Sequence, residues 1–177
     1  GHAFQDSWES SFTVVHWDQR GAGRTHRTNG STGTDKVTLD RMVDDAHEVV
    51  VYLQKRLGKD RIFLLGHSWG SYLGIRLIKQ YPELFHAYIG TGQTVDFREG
   101  LALSHQTALS LAREQDNAEA LAALETLGPP PYSSDELRNL GRWLVKLGGG
   151  FYREMWPVIR PVLIAPGYSL IDIYYFM

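Results

Sequence analysis

Arg61-Ile-Phe-Leu-Leu-Gly-His-Ser-Trp-Gly70 is an apolar run that ends abruptly in Gly66-His67-Ser68-Trp69-Gly70. The last five residues fit G-x-S-x-G, the pattern of a strand-to-helix corner that exposes a serine nucleophile. A corner this sharp puts the serine in a strained backbone conformation, and a Cβ at either flanking glycine is expected to collide with the neighbouring strand or helix. The corner would hold Ser68 Oγ above the sheet edge. The backbone N–H of Trp69 would point into the same space as an oxyanion donor.

The flanks supply the context that the pattern needs. Ile62-Phe-Leu-Leu65 reads as a fully buried strand, with no polar residue to face water. Leu73, Ile75, Leu77 and Ile78 continue at helix-compatible spacing until Pro82 stops the run. Gly70 and Gly74 lie four apart, on the face expected to press against the strand.

Further out, Phe12-Thr-Val-Val-His-Trp17 reads as a strand entering the turn Asp18-Gln-Arg-Gly-Ala-Gly23. A polar loop is expected from Arg24 to about Lys36. A helix follows on Leu39, Met42, Val43, Ala46, Val49, Val50, Leu53 and Leu57, with Thr38 as N-cap and Gly58 as its stop. His86-Ala-Tyr-Ile-Gly-Thr-Gly92 reads as a further strand. The β-α-β-α-β order to about residue 92 implies a parallel sheet flanked by helices, with Phe12–Trp17, Ile62–Leu65 and Ala87–Ile89 adjacent. From about residue 97 three helical patterns follow: Leu101 to Arg113, Ala118 to Leu127, and Asp135 to Leu147. Asn117 can cap the second, and Ser133 with Glu136 has capping-box spacing. Residues 1–96 are thus expected to form an α/β core, and 97–177 a helical cap under which Ser68 Oγ faces a cavity.

Composition bounds the partners. At 177 residues and 43% hydrophobic, one domain with a buried core is expected. A net charge of -2 argues against nucleic acid or an anionic membrane surface as partner. The chain has no cysteine, so disulfides and thiolate chemistry are excluded. No leader and no bilayer-length apolar run is read, so a soluble, cytoplasmic protein acting on a small molecule or short peptide is expected. Neither cofactor nor metal is expected, and the oligomeric state stays open.

Three stretches resemble the proline iminopeptidase-like branch of the α/β-hydrolase superfamily: Trp17-Asp-Gln-Arg-Gly-Ala-Gly23, Gly66-His-Ser-Trp-Gly-Ser71 and Tyr88-Ile-Gly-Thr-Gly-Gln93. Leu127-Gly-Pro-Pro-Pro-Tyr132 resembles that branch's cap. The resemblance implies an α/β-hydrolase-type sheet and serine-dependent cleavage of an amide or ester through an acyl-enzyme. By type that means an aminopeptidase or a related carboxylesterase. The branch also carries a glycine-rich oxyanion loop before the Trp17 strand, and its triad acid and histidine after the cap. Neither is matched in this chain, so the resemblance leads to the expectation of a chain truncated at both ends. A non-catalytic α/β-hydrolase-like binding protein or an inactive fragment is the alternative.

Candidate site residues follow. Ser68 is the nucleophile and the Trp69 N–H an oxyanion donor. If the triad were completed internally, Asp96 would be the acid, because it follows the strand after the nucleophile strand, and His105 the base. His86 and His105 are the histidines after Ser68, and both also have structural readings. Asp172, beyond Pro161-Val-Leu-Ile-Ala-Pro-Gly167, is a second acid candidate. Asp18 and Arg20 are expected to form a buried ion pair that fixes their turn. His67 is expected to pack and hydrogen-bond. Asp44, Asp45, His47 and Glu48 read as a solvated helix face, and Phe151, Tyr152, Trp143 and Trp156 as helix packing or pocket lining.

Overall fold

Side-chain caps mark the start of four of the six α-helices among the described residues. The computed structural model describes residues 5–30 and 37–150. Along them lie α1 (Gly23–Asn29), α2 (Leu39–Leu57), β1 (Ile62–His67), α3 (Trp69–Gln80), β2 (Phe85–Thr91), α4 (Phe97–Glu114), α5 (Ala118–Leu127) and α6 (Ser134–Lys146). Short 3-10 turns occupy Asp6–Ser10 and Pro82–Leu84. The Thr38 hydroxyl accepts from the Arg41 amide, and α2 ends in Gly58 at φ 62°, a left-handed position that suits glycine. Asn117 caps α5, and Ser133 with Glu136 forms a full capping box on α6. The Ser133 amide also donates to the Glu136 carboxylate and holds it below the usual carboxylate range.

The described residues fall into two compact units, one running to Gln93 and the other starting at Thr94. In the first, β1 and β2 pair in parallel, with Leu64 opposite Tyr88 and Leu65 opposite Ile89. Helices α2 and α3 cover one face of this sheet. Met42, Val43, Ala46 and Val50 pack with Leu73, Leu77 and Phe85, and Ile62 and Leu64 rest against them. In the second unit Ala108, Ala112 and Ala120 let α4 and α5 approach closely, and Leu124, Leu140, Trp143 and Leu147 fill the space left over. Trp143 therefore serves helix packing. Phe151, Tyr152, Trp156 and the Pro161-to-Asp172 stretch lie outside the described residues.

Four expectations are corrected. Phe12–Trp17 carries no strand: β-propensity cannot make a ladder without a hydrogen-bonded neighbour, and the only ladder among the described residues joins β1 to β2. The segment still meets the sheet, since the Phe12 ring packs edge-on to Phe63 at 5.8 Å. The β1 strand is not fully buried, because its two covering helices share a face. Phe63 on the other face is 54% exposed, and Ile89, opposite Leu65 on β2, is 47% exposed. The expected loop after Arg24 includes a helix, α1, which spans Gly23–Asn29.

The fourth correction concerns charge. Arg20 pairs with Asp45 rather than with Asp18: its Nε and Nη2 donate to the two carboxylate oxygens at 2.7 and 2.6 Å. Arg41 adds a third contact to Asp45 at 3.1 Å. Asp45 is therefore buried, not on a solvated face, while Asp44 and Glu48 on the same helix are exposed. Helical periodicity alone could not tell Asp45 from its neighbours, because its partner lies 25 residues upstream. Asp18 instead accepts from the Arg24 backbone amide at 3.0 Å, where it holds the first turn of α1.

Hydrogen bonding to Arg20, reinforced by the charges of Arg20 and Arg41, holds the Asp45 carboxyl below its usual range against the opposing effect of burial. A depressed folded value means that the stabilisation is complete above the unfolded value, about pH 4, and fades as pH falls through the folded one. Asp45→Asn should therefore melt below the wild type at pH 7, with a gap that closes below about pH 4. Thermal melts of both proteins from pH 7 to 2 check this. A gap that stayed constant to pH 2 would contradict the linkage.

Candidate active site

The junction of β1 and α3 concentrates unusual backbone. Ser68 has φ 53° and ψ -119°, one of two non-glycine residues with positive φ among the described residues. Such a conformation costs of order 1–3 kcal/mol and persists only where its surroundings impose it. Here they do. The Ser68 amide donates to the Thr91 carbonyl at 3.0 Å, and the Ser68 carbonyl accepts from the Ser71 amide at 2.9 Å and from the Ser71 hydroxyl at 2.6 Å. The serine is thus tied to β2 on one side and to the first turn of α3 on the other.

The two flanking glycines behave differently. A Cβ on Gly66 would lie 2.5 Å from the Gly70 carbonyl oxygen and 2.8 Å from Ser71 Cα, both backbone atoms with no freedom to yield. A Cβ on Gly70 would meet nothing within 4 Å, so the expected collision at that position does not occur. The glycine that does touch the sheet from α3 is Gly74, where a Cβ would come 2.7 Å from the Tyr88 ring. Close approach, rather than the letter pattern, decides which glycine is needed.

Around the corner, Ser68 and Trp69 are exposed. Trp69 is the first residue of α3, so its N–H precedes the intrahelical ladder and points out of the helix N-terminus. Its indole Nε1 donates to Gln19 Oε1 at 3.3 Å, which links the corner to the Asp18-Gln19-Arg20 turn. The His67 Nδ1 lies 3.0 Å from Thr91 Oγ1, in keeping with the packing role expected for it. Among the described residues no imidazole hydrogen-bonds Ser68 Oγ. A concavity of about 560 Å³ opens beside Trp17, Arg20, Thr25, Asp45 and Tyr52, and Ser68 does not line it.

Asp96 and His105 belong to the helical unit. The Asp96 carboxylate is the N-cap of α4 and accepts from the Glu99 amide at 2.9 Å. His105 is 7% exposed, and its Nε2 lies 2.8 Å from the Leu124 carbonyl in the last turn of α5. His86 is exposed on β2 with its ring 5.2 Å from that of Phe63. Among the described residues no group of three His, Cys, Asp or Glu side chains could hold a metal ion. No helix among them is long and apolar enough to cross a membrane.

Sequence reasoning passed over Ser71, Tyr88 and Gln93 as individual side chains. Tyr88 OH lies 2.9 Å from the Ser71 carbonyl and 2.7 Å from Gln93 Oε1, and Gln93 Nε2 donates to the same carbonyl at 3.3 Å. The available signal was the pairing of an odd polar cluster, Tyr88 to Gln93, with the serine after the corner.

The family described as "Hydrolase_4: Serine aminopeptidase, S33" matches residues 2–123. The chain is 31% identical over 179 residues to "Probable aminopeptidase YbaC" of Bacillus subtilis, covering 98% of this chain and 55% of that protein. It is 28% identical to "Putative carbamate hydrolase RutD" of Cronobacter turicensis, covering 86% of this chain and 61% of that one. Over 97 residues it is 31% identical to "Probable proline iminopeptidase" of Streptomyces coelicolor, covering 53% of this chain and 28% of that protein. The chain thus spans little more than half the length of the relatives that match most of it.

Proposed function

From a chain that belongs to the serine aminopeptidase S33 family of α/β-hydrolases, we propose a hydrolase in which Ser68 is the nucleophile. Ser68 Oγ attacks the carbonyl carbon of an amide, ester or carbamate, and the Trp69 N–H donates to the oxyanion that forms. Collapse of that intermediate expels the amine or alcohol, which takes up the proton lost by Oγ, and leaves an acyl-serine, which water then hydrolyses. The observation that carries this reading is the backbone of Ser68. A serine held at φ 53° between a strand and a helix N-terminus is strained in a way that packing does not call for, but that a protruding nucleophile does. Substrates are small molecules or short peptides, and the relatives' names point to an N-terminal residue or a carbamate as the acyl part.

Asp96 and His105 are assigned to structure rather than to the triad, each having a cap or carbonyl contact that accounts for its position. The helical unit beginning at Thr94 corresponds to the family's cap. Asp96→Asn keeps the oxygen that caps α4, so melting should shift by less than about 0.5 kcal/mol, whereas Asp96→Ala should cost about 1 kcal/mol. Hydrolysis by Asp96→Asn should match the wild type. A loss of two or more orders of magnitude in kcat would make Asp96 the triad acid.

The function is tested by labelling the full-length natural protein with a fluorophosphonate, beside turnover of proline p-nitroanilide and p-nitrophenyl acetate. Labelling confined to Ser68 supports a serine hydrolase, and the ratio of the two rates separates aminopeptidase from esterase. No labelling and no turnover would leave the non-catalytic binding protein as the reading.

A further inference from the structure

We propose that Ser71, Tyr88 and Gln93 are positioning residues, a hydrogen-bonded clamp that holds Ser68 in its strained conformation and so sets the aim of the nucleophile. The inference rests on the reading of Ser68 above and adds to it the side chains that enforce the geometry. A left-handed serine relaxes unless both of its peptide groups are tied, and each tie here leads to the same stretch of β2 and the loop after it.

On the carbonyl side, Ser71 has no exposed surface, and its hydroxyl donates to the Ser68 carbonyl at 2.6 Å. The Ser71 carbonyl in turn faces Tyr88 OH at 2.9 Å and Gln93 Nε2 at 3.3 Å. The tyrosine's one proton can serve either that carbonyl or Gln93 Oε1, so the three groups form one connected set of donors and acceptors. On the amide side, Ser68 donates to the Thr91 carbonyl, between Tyr88 and Gln93 in sequence.

Two glycines make room for the clamp. A Cβ on Gly90 would sit 3.0 Å from Tyr88 OH and still closer to the Gln93 amide oxygen. Gly92 turns the chain at φ +54°, which brings Gln93 back toward Ser71. Tyr88-Ile-Gly-Thr-Gly-Gln93 therefore has one physical explanation: two polar clamps, two glycines that let them close, and a carbonyl that receives the Ser68 amide. Without the clamp, Ser68 can rotate toward ordinary helical angles, and a displacement of about 1 Å at a nucleophile costs about a hundredfold in rate.

The test measures fluorophosphonate labelling rates from pH 5 to 9 in the full-length natural protein, with melting curves to give the folded fraction. Ser71→Ala, Ser71→Cys and Tyr88→Phe are compared with the wild type and with Ser68→Ala. Ser71→Ala and Tyr88→Phe should label about ten- to a hundredfold more slowly per folded molecule. The pH midpoint should be unchanged, because neither substitution removes a group that titrates in this range. Ser71→Cys, with the same shape and a weaker donor, should fall between alanine and the wild type. Folded Ser71→Ala and Tyr88→Phe that label at the wild-type rate would overturn the clamp, as would a loss accounted for by unfolding alone. Labelling that survives in Ser68→Ala would overturn the nucleophile assignment itself, a result that no clamp variant can mimic.

Discussion

Ser68→Ala should abolish labelling and reduce turnover by about three to six orders of magnitude, leaving KM and the melting temperature nearly unchanged. The size follows from the chemistry, since removing Oγ removes the only atom that can form the acyl bond. What remains is catalysis by binding and by the oxyanion donor, and these alone give only a modest rate over water. Stability should hold or rise slightly. The hydrogen bonds from the Ser68 amide to Thr91 and from Ser71 to the Ser68 carbonyl do not involve Oγ, and Ser68 is an exposed residue. The measurement is kcat and KM on proline p-nitroanilide and p-nitrophenyl acetate, with calorimetry on the same preparation. Turnover within tenfold of the wild type would end the proposal that Ser68 is the nucleophile.

Gly66→Ala should be the most destabilising single methyl group that can be added to this unit, at about 3 kcal/mol or more. Its Cβ would stand 2.5 Å from the Gly70 carbonyl oxygen and 2.8 Å from Ser71 Cα. Both are backbone atoms in the first turn of α3, so relief requires moving the helix away from the strand. That movement would also pull Ser71 from Ser68, and activity should fall together with stability. Gly70→Ala is the control within the same motif. Its Cβ meets nothing, the position is helical, and alanine replaces glycine there with a gain of up to about 1 kcal/mol. Urea denaturation of the two variants gives the comparison directly. Equal losses at the two glycines would mean that the corner's packing has been misread.

The legible part of this fold was the part written in local chemistry. Thr38 and Gly58 bounded α2 to the residue, Asn117 fixed the start of α5, and the Ser133–Glu136 pair fixed the start of α6 to within one residue, because caps act on the backbone within three or four positions. The Ser68 corner was legible for the same reason: strand, turn and helix are contiguous, and the turn's special geometry demands special residues. Residues 62–65 read equally as a buried strand. That reading failed on burial because coverage of a strand depends on what packs on each face, and α2 and α3 chose one. Phe12–Trp17 failed as a strand because pairing needs a partner, which no property of those six residues supplies.

What the sequence determined by itself, then, was the element order from α2 onward, the caps of α2, α5 and α6, and a serine at a strand-to-helix corner. Tertiary structure alone decided that Arg20 meets Asp45, 25 residues away, and that Gly66 rather than Gly70 is sterically required. It alone brought Tyr88 and Gln93 against Ser71. The division has one physical cause. Caps, turns and periodicity report forces that act along a few residues of chain, whereas ion pairs, steric clearances and side-chain clamps depend on distances across space, and the chain acquires these only when its elements pack.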